Sequence, residues 1–186
     1  KIDSSIFIDG LEHNKIIFIN GRIEKIDFNY EDENKIQIFD DVKINNIFNN
    51  KNSLIDLNNA FSNKYYKILV KKGYSINKPL VIYHSINEKM KSKNINLRLD
   101  FELEQNSSLR LIDFFKDSTE KNFMNILYNF NLQKDSILKN YLKNEINCNL
   151  KGEYSSAFVN GIFLLKENQQ HEIRSTINHL VENTKS

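Results

Sequence analysis

Hydrophobic and polar residues alternate with a period of two over much of the chain after residue 65, which predicts β-strands buried on one face. The clearest example runs from Ile95 to Leu103, where Ile, Leu and Phe occupy every second position and Asn, Arg, Asp and Glu the positions between. Shorter apolar runs at residues 68–70 and 80–83 predict two further strands, and Pro79 directly precedes the second. Since a sheet accepts proline at the first position of a strand, Pro79 is compatible with a strand here.

The first 50 residues are less regular, but they contain one clear hairpin signal. An apolar run at residues 16–19 is followed by Asn20-Gly21 and a second short apolar run at Ile23. Asn-Gly suits the positive φ values of a type I′ turn, so we predict a two-residue hairpin. The polar stretch at residues 29–35 predicts a loop.

A short helix is predicted from Ser53 to Phe61. Ser53 is a suitable N-cap residue, and the spacing of Leu54, Leu57 and Phe61 would place the three side chains on one face. We therefore divide the chain into an entry region, residues 1–64, with a hairpin and this short helix, and a β core at residues 65–186. The sequence begins without Met and ends directly after a strand-like segment, so we expect a fragment in which the core is truncated at its carboxy end.

A weak internal repeat appears in the β core. Phe101-x-Leu103-x-x-x-Ser107 recurs twenty-nine residues later as Phe130-x-Leu132-x-x-x-Ser136, and Cys148-x-Leu150 is a looser third copy. Strands separated by turns, with imperfect repetition, are typical of either an antiparallel sandwich or a coiled stack of rungs, and periodicity leaves both open. In a stack, asparagines at equivalent positions would form hydrogen-bonded ladders, whereas otherwise they are ordinary surface residues. The candidates are Asn129, Asn131, Asn140, Asn144, Asn147 and Asn149.

Composition and charge exclude some classes of partner. The net charge is +2, and the lysines are scattered among Asp and Glu without a basic stripe, so we expect no nucleic-acid partner. No apolar run approaches the ~20 residues needed to cross a bilayer, so we expect no membrane insertion. The single cysteine, Cys148, cannot form an internal disulfide, which favours a reducing compartment such as the cytoplasm, or a plastid.

Five segments, taken in order, resemble a known family of iron–sulfur scaffold proteins. They are Ile17-Phe18-Ile19-Asn20-Gly21-Arg22; Leu57-Asn58-Asn59-Ala60-Phe61; residues 70–80 around Pro79; Asn160-Gly161-Ile162-Phe163; and the stretch from Gln170-His171-Glu172 through Asn178-His179 to Asn183-Thr184-Lys185-Ser186. Together they resemble the SufB/SufD family of the Suf iron–sulfur cluster assembly system. Ile19-Asn20-Gly21-Arg22 favours its SufD branch.

This resemblance implies a mainly β fold, a right-handed parallel β-helix (β-solenoid) with a short irregular amino-terminal region. It implies a non-catalytic scaffold subunit that pairs with SufB through the β-helix, or with a second copy of itself. It also implies work with the ATPase SufC, which docks to a carboxy-terminal part missing here. The iron–sulfur cluster is then assembled in the complex and none is bound stably by this chain. The tail departs from the family, since Glu182 and Thr184 stand where Pro and Cys are frequent.

Three residues near the carboxy end are candidates for an interface: His171, Glu172 and His179. The eight-residue spacing of the histidines places them on one side of a strand, but roughly 26 Å apart at ~3.3 Å per residue. They cannot share one metal ion unless the chain turns, so we assign no metal ligands. Glu172 or another carboxylate would orient an imidazole at such an interface.

The remaining reactive side chains have weaker patterns. Cys148 lies at strand spacing between Ile146 and Leu150, which favours a buried small hydrophobe over a sulfur-transfer thiol. His13 and His84 have no recognisable partners in the sequence, so we expect them to be incidental. We therefore predict no catalytic residues at these positions.

No enzyme motif is present: the sequence lacks a glycine-rich phosphate loop, a Gly-x-Ser-x-Gly elbow, a His-Glu-x-x-His helix and a Cys-x-x-Cys pair. Glu102 and Glu104 lie on the polar face of a strand, as paired carboxylates do in a β-helix carbohydrate-active enzyme. That class of enzyme, or a structural β-solenoid, is the alternative to a scaffold. We predict that the chain is not an enzyme.

Overall fold

The computed structural model describes residues 7–40, 53–62, 64–86, 94–117, 123–141, 145–160 and 175–186. These residues are mainly β, with one helix among them. In chain order the elements are β1 (Asn14–Ile19), β2 (Arg22–Asp27), β3 (Ile36–Asp40), α1 (Ser53–Phe61), β4 (Lys64–Val70), β5 (Leu80–Ile86), β6 (Asn94–Leu103), β7 (Ser108–Asp117), β8 (Phe123–Leu132), β9 (Ile137–Tyr141), β10 (Glu145–Leu150), β11 (Ser156–Asn160) and β12 (Ser175–His179).

The strands form two six-stranded mixed sheets. Sheet A has the order β11-β9-β7-β5-β1-β2, and sheet B has the order β12-β10-β8-β6-β4-β3. From β4 onward successive strands lie in alternate sheets, and from β6 onward each strand pairs with the strand two elements earlier. These pairings, and that of β1 with β5, are parallel; only β1 with β2 and β3 with β4 are antiparallel. The antiparallel sandwich that the periodicity left open is therefore wrong for these sheets.

The inner faces of the two sheets enclose one hydrophobic core. Alternation places Ile95, Leu97, Leu99, Phe101 and Leu103 of β6 in it, as the sequence predicts, and the last four are fully buried. Parallel pairing sets equivalent side chains of neighbouring strands side by side, so the Phe101 and Phe130 rings stack with centroids 4.9 Å apart. Rings from the two sheets also meet, because Phe18 of β1 lies edge-on to Tyr66 of β4 at 5.4 Å.

Four-residue turns lead out of the sheet B strands and stack on one another. In the described residues they span 71–74, 104–107, 133–136, 152–155 and 181–184. The third residue of each has a positive φ: Gly73 (72°), Asn106 (58°), Asp135 (55°), Tyr154 (60°) and Asn183 (56°). In the first four turns the backbone N–H of the third residue donates to a carbonyl of the next turn: Gly73 to Gln105, Asn106 to Lys134, Asp135 to Glu153 and Tyr154 to Asn183, at 2.9–3.0 Å. Successive turns are therefore held in one column.

The stacked turns explain the internal repeat in the sequence, which is confirmed. Phe101 pairs with Phe130 and Leu103 with Leu132 in adjacent strands. Ser107 and Ser136 both occupy the fourth turn position, are buried, and donate their hydroxyls to the carbonyl of the first turn residue, at 2.6 and 2.7 Å. The repeat therefore specifies both the inward side chains and the turn that follows them.

The amino-terminal elements agree with the predicted hairpin and loop. β1 and β2 are joined by Asn20 (φ 53°) and Gly21 (φ 76°), and β5 begins at Leu80, directly after Pro79. Residues 29–35 form no helix or strand, as predicted. β1 and β3 of the entry region pair with β5 and β4 of the core, and the division at residue 64 stays a prediction.

Helix α1 begins at Ser53 as predicted. Of the three residues predicted to share an apolar face, Phe61 is 62% exposed and Leu57 is half-buried, and the side chain of Leu54 lies outside those described. Asn58 is buried. Asn58 Nδ2 donates to the carbonyls of Leu97 (3.0 Å) and Asn125 (2.9 Å) on two strands of sheet B. The helix is thus attached through hydrogen bonds, because Asn96 and Asn125 make the sheet surface polar here.

The loop at residues 29–35 is held by Glu31. Its Oε1 accepts from Asn14 Nδ2 (2.5 Å) and the Lys78 N–H (3.1 Å), and its Oε2 accepts from the Tyr74 hydroxyl (2.6 Å) and the Asn77 N–H (3.0 Å). One carboxylate therefore joins the loop to β1 and to the segment that leads into β5.

Candidate functional site

The end of the molecule formed by β11 and β12 has the properties of a docking edge. These are the last strands of sheets A and B; among the described residues β12 pairs only with β10, and β11 is met on its free side only by a single bridge to Lys185. Unpaired backbone groups at such edges can hydrogen-bond to a further strand. Exposed apolar side chains lie at the same end: Tyr154 (58%), Phe158 (37%), Leu180 (57%) and Val181 (37%).

His179, one of the three interface candidates, is the last residue of β12 and lies at this edge. It is exposed, and its ring contacts the hydroxyls of Thr184 (Nδ1, 2.6 Å) and Ser186 (Nε2, 3.1 Å). The imidazole thus stabilises the turn at residues 181–184. His171 and Glu172 lie outside the described residues, so the structure locates only one of the three candidates, and their interface role stays a prediction.

Cys148 points into the core, as the strand spacing predicts. It is fully buried between Phe130 of β8 and Ile177 of β12, its neighbours in register. Burial raises the pKa of its thiol to about 12. Because the thiolate is the reactive form, burial and the raised pKa favour a structural role for Cys148 over sulfur transfer.

The asparagine ladder is confirmed in part, on the outer face of sheet B and not at its turns. Asn178 Nδ2 donates to the side-chain oxygens of Asn149 (2.9 Å) and Asn147 (3.2 Å), and Asn149 Nδ2 to Asn131 Oδ1 (3.5 Å). The column continues to the carboxylates of β6, since Asn129 Nδ2 donates to Asp100 (2.8 Å). It ends at Asn178 on the edge strand β12 and so reaches the same end of the molecule.

Two of the candidate asparagines do not belong to this ladder. Asn140 points into the core, and among the described residues neither of its side-chain polar atoms has a hydrogen-bond partner. Asn144 lies outside the described residues.

Glu102 and Glu104 are occupied by structural hydrogen bonds. Glu102 Oε1 accepts from Gln133 Nε2 (2.8 Å), and Glu104 Oε2 accepts from the Lys72 N–H (2.8 Å). Both line a wide, open depression of about 650 Å³ together with Lys67 and Lys134. This surface is shallow, and no observation there favours cleavage of a carbohydrate.

The expectation that His84 is incidental is wrong, because it belongs to a polar cluster in the core. His84 Nε2 lies 3.0 Å from the Tyr128 hydroxyl and 3.0 Å from Asp113 Oδ1, and the His84 and Asp113 side chains are fully buried. Burial, and next the Asp113 carboxylate, raise the pKa of Tyr128 well above its usual value. The ring of His84 stacks between Phe18 (5.2 Å) and Phe115 (4.9 Å). Because the His84 and Asp113 side chains are fully buried between aromatic rings, we assign the cluster a structural role in the core.

One signal in the sequence could have found this cluster. Leu109 and Leu111 alternate inward along β7, and the same alternation places Asp113 inward. A carboxylate at an inward position requires a buried partner. Its partner could not be named, because the register that brings Asp113 near His84 depends on how β5 and β7 pair.

His13 is not incidental either. It is buried, and its Nε2 lies 2.7 Å from the Tyr83 hydroxyl. Tyr83 is on the outer face of sheet A, so His13 ties the segment before β1 to that face.

The described residues contain no group of three or more His, Cys, Asp or Glu side chains arranged to hold a metal ion. None of the helices in the described part of the chain is long and apolar enough to cross a membrane. In its described part the chain is mainly β, with two mixed sheets in which β11 and β12 have no further strand on their outer sides. Comparison of the sequence with protein-family models and with curated proteins gives no match.

Proposed function

We propose that the chain is a SufD-like, non-catalytic scaffold subunit of iron–sulfur cluster assembly, acting in the cytoplasm or a plastid. In this proposal its two sheets are the flanks of a right-handed parallel β-helix. The chain pairs with SufB, or with a second copy of itself, and works with the ATPase SufC. The cluster is the product of the complex and is not held stably by this chain.

The observation that carries the proposal is the column of stacked turns. In the described residues the strands from β4 onward alternate between two sheets, from β6 onward each pairs in parallel with the strand two elements earlier, and equivalent turns follow the sheet B strands. This pattern is expected of a parallel β-helix. It supports the fold that the family resemblance implies.

The positions of the resembling segments also support it. Asn20-Gly21 is the turn of the hairpin, Pro79 directly precedes β5, and Asn58 attaches α1 to sheet B. The last segment supplies β12 and the turn at 181–184, with His179 and Thr184 in contact. Each segment that lies in the described residues thus has a definite structural task, which explains why these residue types occur in this order.

The edges of β11 and β12 favour pairing as the mode of action. Backbone groups there can add a strand from another protein, and exposed Phe158 and Tyr154 supply apolar contact beside them. Cys148 is buried with a raised pKa, which favours a supporting role over a thiol-transfer role. Reaction chemistry would then reside in SufB or at the shared contact.

The test is co-expression of the chain with bacterial SufB and SufC, followed by size-exclusion chromatography with light scattering. We expect either a complex of all three proteins or a complex of SufB with this chain. We also expect that the chain alone shows no ATPase activity. A chain that stays separate from SufB, hydrolyses ATP alone, or retains a stoichiometric cluster after anaerobic purification would contradict the proposal.

A matched pair of variants locates the contact. Phe158→Lys places a charge beside the β11 edge, and Ile26→Lys places one on β2 at the opposite edge of sheet A, where Ile26 is 44% exposed. Since a desolvated charge in the centre of an interface is unfavourable, Phe158→Lys should weaken SufB binding about tenfold or more. Ile26→Lys should leave it unchanged, and equal effects of the two would refute the assignment of the edge.

A further inference from the structure

The outer face of sheet A carries positive charges in a row across three neighbouring strands. Arg110 of β7 lies in register with Lys139 of β9, which in turn lies in register with Phe158 of β11. Lys185 continues the row, because its Nζ lies over the Phe158 ring, 5.9 Å from the centroid. We call Arg110, Lys139 and Lys185, which are all exposed, the basic row. These residues are far apart in the sequence, which is why the sequence shows no basic stripe.

The described residues do not neutralise the basic row. Neighbouring strands are about 4.8 Å apart, and like charges directly opposite one another destabilise a sheet. β5, β9 and β11 contain no Asp or Glu, and the aspartates of β7 lie at inward positions of its alternation. In the described part of the chain no carboxylate forms an ion pair with any of the three cations.

Other cations on the two sheets have carboxylate neighbours. Lys15 of β1 lies in register with Asp27 of β2 and pairs with it at 3.8 Å. On sheet B, Lys67 lies in register with Asp100. The basic row departs from this arrangement, and such departures from local rules are expected where a surface serves a function.

Part of the basic row is fixed in position beside a depression of about 320 Å³. Arg110 and Lys139 line this depression together with the apolar side chains of Ile76 and Ile137. Arg110 Nη2 donates to the carbonyls of Asn77 (2.6 Å) and Ile76 (3.4 Å). These bonds hold the guanidinium group and leave its Nε and Nη1 donors for an anion, which a guanidinium binds with two parallel hydrogen bonds.

The surroundings of the basic row favour a protein segment over a nucleic acid. Ile137 (39% exposed) and Phe158 (37% exposed) offer apolar contacts beside the charges. Lys185 already lies over the Phe158 ring, which therefore does not offer that face for stacking a base. The row covers two strand spacings, roughly 10 Å, which is the length of about three extended residues.

We propose that the basic row is a docking surface for an acidic segment of a partner protein. Carboxylates of the segment bind Arg110, Lys139 and Lys185, and an apolar side chain beside them contacts Ile137 and Phe158. Such a partner supplies the negative charge that sheet A lacks here. The segment lies on the face of sheet A and is not the strand that would add to the β11 edge, so this inference and the proposed scaffold role can fail independently.

Fluorescence anisotropy of a short labelled peptide of Glu and Leu residues, titrated with the full chain, tests the docking surface. At low ionic strength this peptide should bind at least tenfold more tightly than the same peptide with Gln in place of every Glu, and added salt should weaken its binding. Arg110→Gln and Lys139→Gln should each weaken binding about threefold, the effect of one exposed ion pair, and together about tenfold. Lys134→Gln is the matched control and should leave binding unchanged, because this exposed lysine lies beside Glu102 and Glu104.

Lys139→Glu distinguishes a docking surface from a structural role of the same residues. It places opposite charges in register, so the thermal midpoint of the free chain should rise by about 1–3 °C at low ionic strength while binding of the Glu peptide is lost. A fall in the midpoint, equal binding of the Glu and Gln peptides, or equal effects of Lys134→Gln and Lys139→Gln would overturn the proposal. Tighter binding of a single-stranded oligothymidylate than of the Glu peptide would also overturn it, in favour of a nucleic acid.

Discussion

Replacing Glu31 by Gln tests whether one carboxylate holds the amino-terminal loop against the sheets. Its two oxygens accept four hydrogen bonds, from Asn14, Tyr74 and the backbone N–H groups of Asn77 and Lys78. In Glu31→Gln an NH₂ group replaces one oxygen, so two of these donors lose their acceptor and face another donor. The shape of the side chain hardly changes, so the effect reports hydrogen bonding and not packing.

The magnitude follows from the number and burial of the bonds lost. A hydrogen bond to a charged group contributes about 1.5–3 kcal/mol, and an unsatisfied buried donor costs about 1–3 kcal/mol. Glu31 is half-buried and Asn77 is exposed, so water satisfies part of what is lost. We expect a loss of about 3 kcal/mol in the free energy of unfolding.

Urea denaturation, followed by circular dichroism, measures this loss. Glu33→Gln is the matched control, because it makes the same chemical change two residues away at an exposed position and should change stability by less than about 0.5 kcal/mol. In a double-mutant cycle, Tyr74→Phe should lose part of its effect when Glu31→Gln is present. Equal stabilities of Glu31→Gln and Glu33→Gln would refute the reasoning.

Three further predictions follow from the core and the turns. Cys148 should react with a disulfide reagent at pH 8 only as fast as the chain unfolds, since burial raises its thiol pKa to about 12; rapid labelling of the folded chain would show that the site is open. Gly152→Ala should lower the free energy of unfolding, measured by urea denaturation, by about 3 kcal/mol or more, because a Cβ there would overlap the backbone of Gln133 and Lys134. Gly73→Ala, where φ is positive but the space is open, should lower it by only about 1 kcal/mol. Asp113→Asn should lower the free energy of unfolding by about 3 kcal/mol, because it removes a buried carboxylate that lies 3.0 Å from His84 Nε2 and is hydrogen-bonded to Tyr128. An unchanged thermal midpoint would contradict that role.

Local patterns predicted much of the strand content. Alternation identified β6, Asn20-Gly21 identified the hairpin, and Pro79 marked the start of β5, because each of these signals depends on residues that are neighbours in sequence. The repeat around Phe101 and Phe130 even predicted which side chains lie in register.

What local patterns could not predict are contacts set by long-range pairing. His84 and Asp113 meet because β5 and β7 pair in one register, and Asn58 is buried because α1 lies on a polar part of sheet B. Phe61 has the spacing of a buried helix position, but the sheet surface beneath the helix presents amide and carbonyl groups, which are hydrogen-bonded by Asn58. A pattern of apolar spacing carries no information about the polarity of the opposing surface.

The column of turns also determines where the chain can vary in length. On that side every passage from sheet B contains the same four-residue turn, whatever its full length, since an extra residue within a turn would break the hydrogen bonds to the turns above and below. The connections from sheet A back to sheet B differ widely, covering residues 87–93, 118–122, 142–144 and 161–174. Insertions, such as a peptide tag or a fluorescent reporter, should therefore be tolerated in the connections from sheet A to sheet B, with the strand register intact. The same insertions within the stacked turns after the sheet B strands should disrupt the fold.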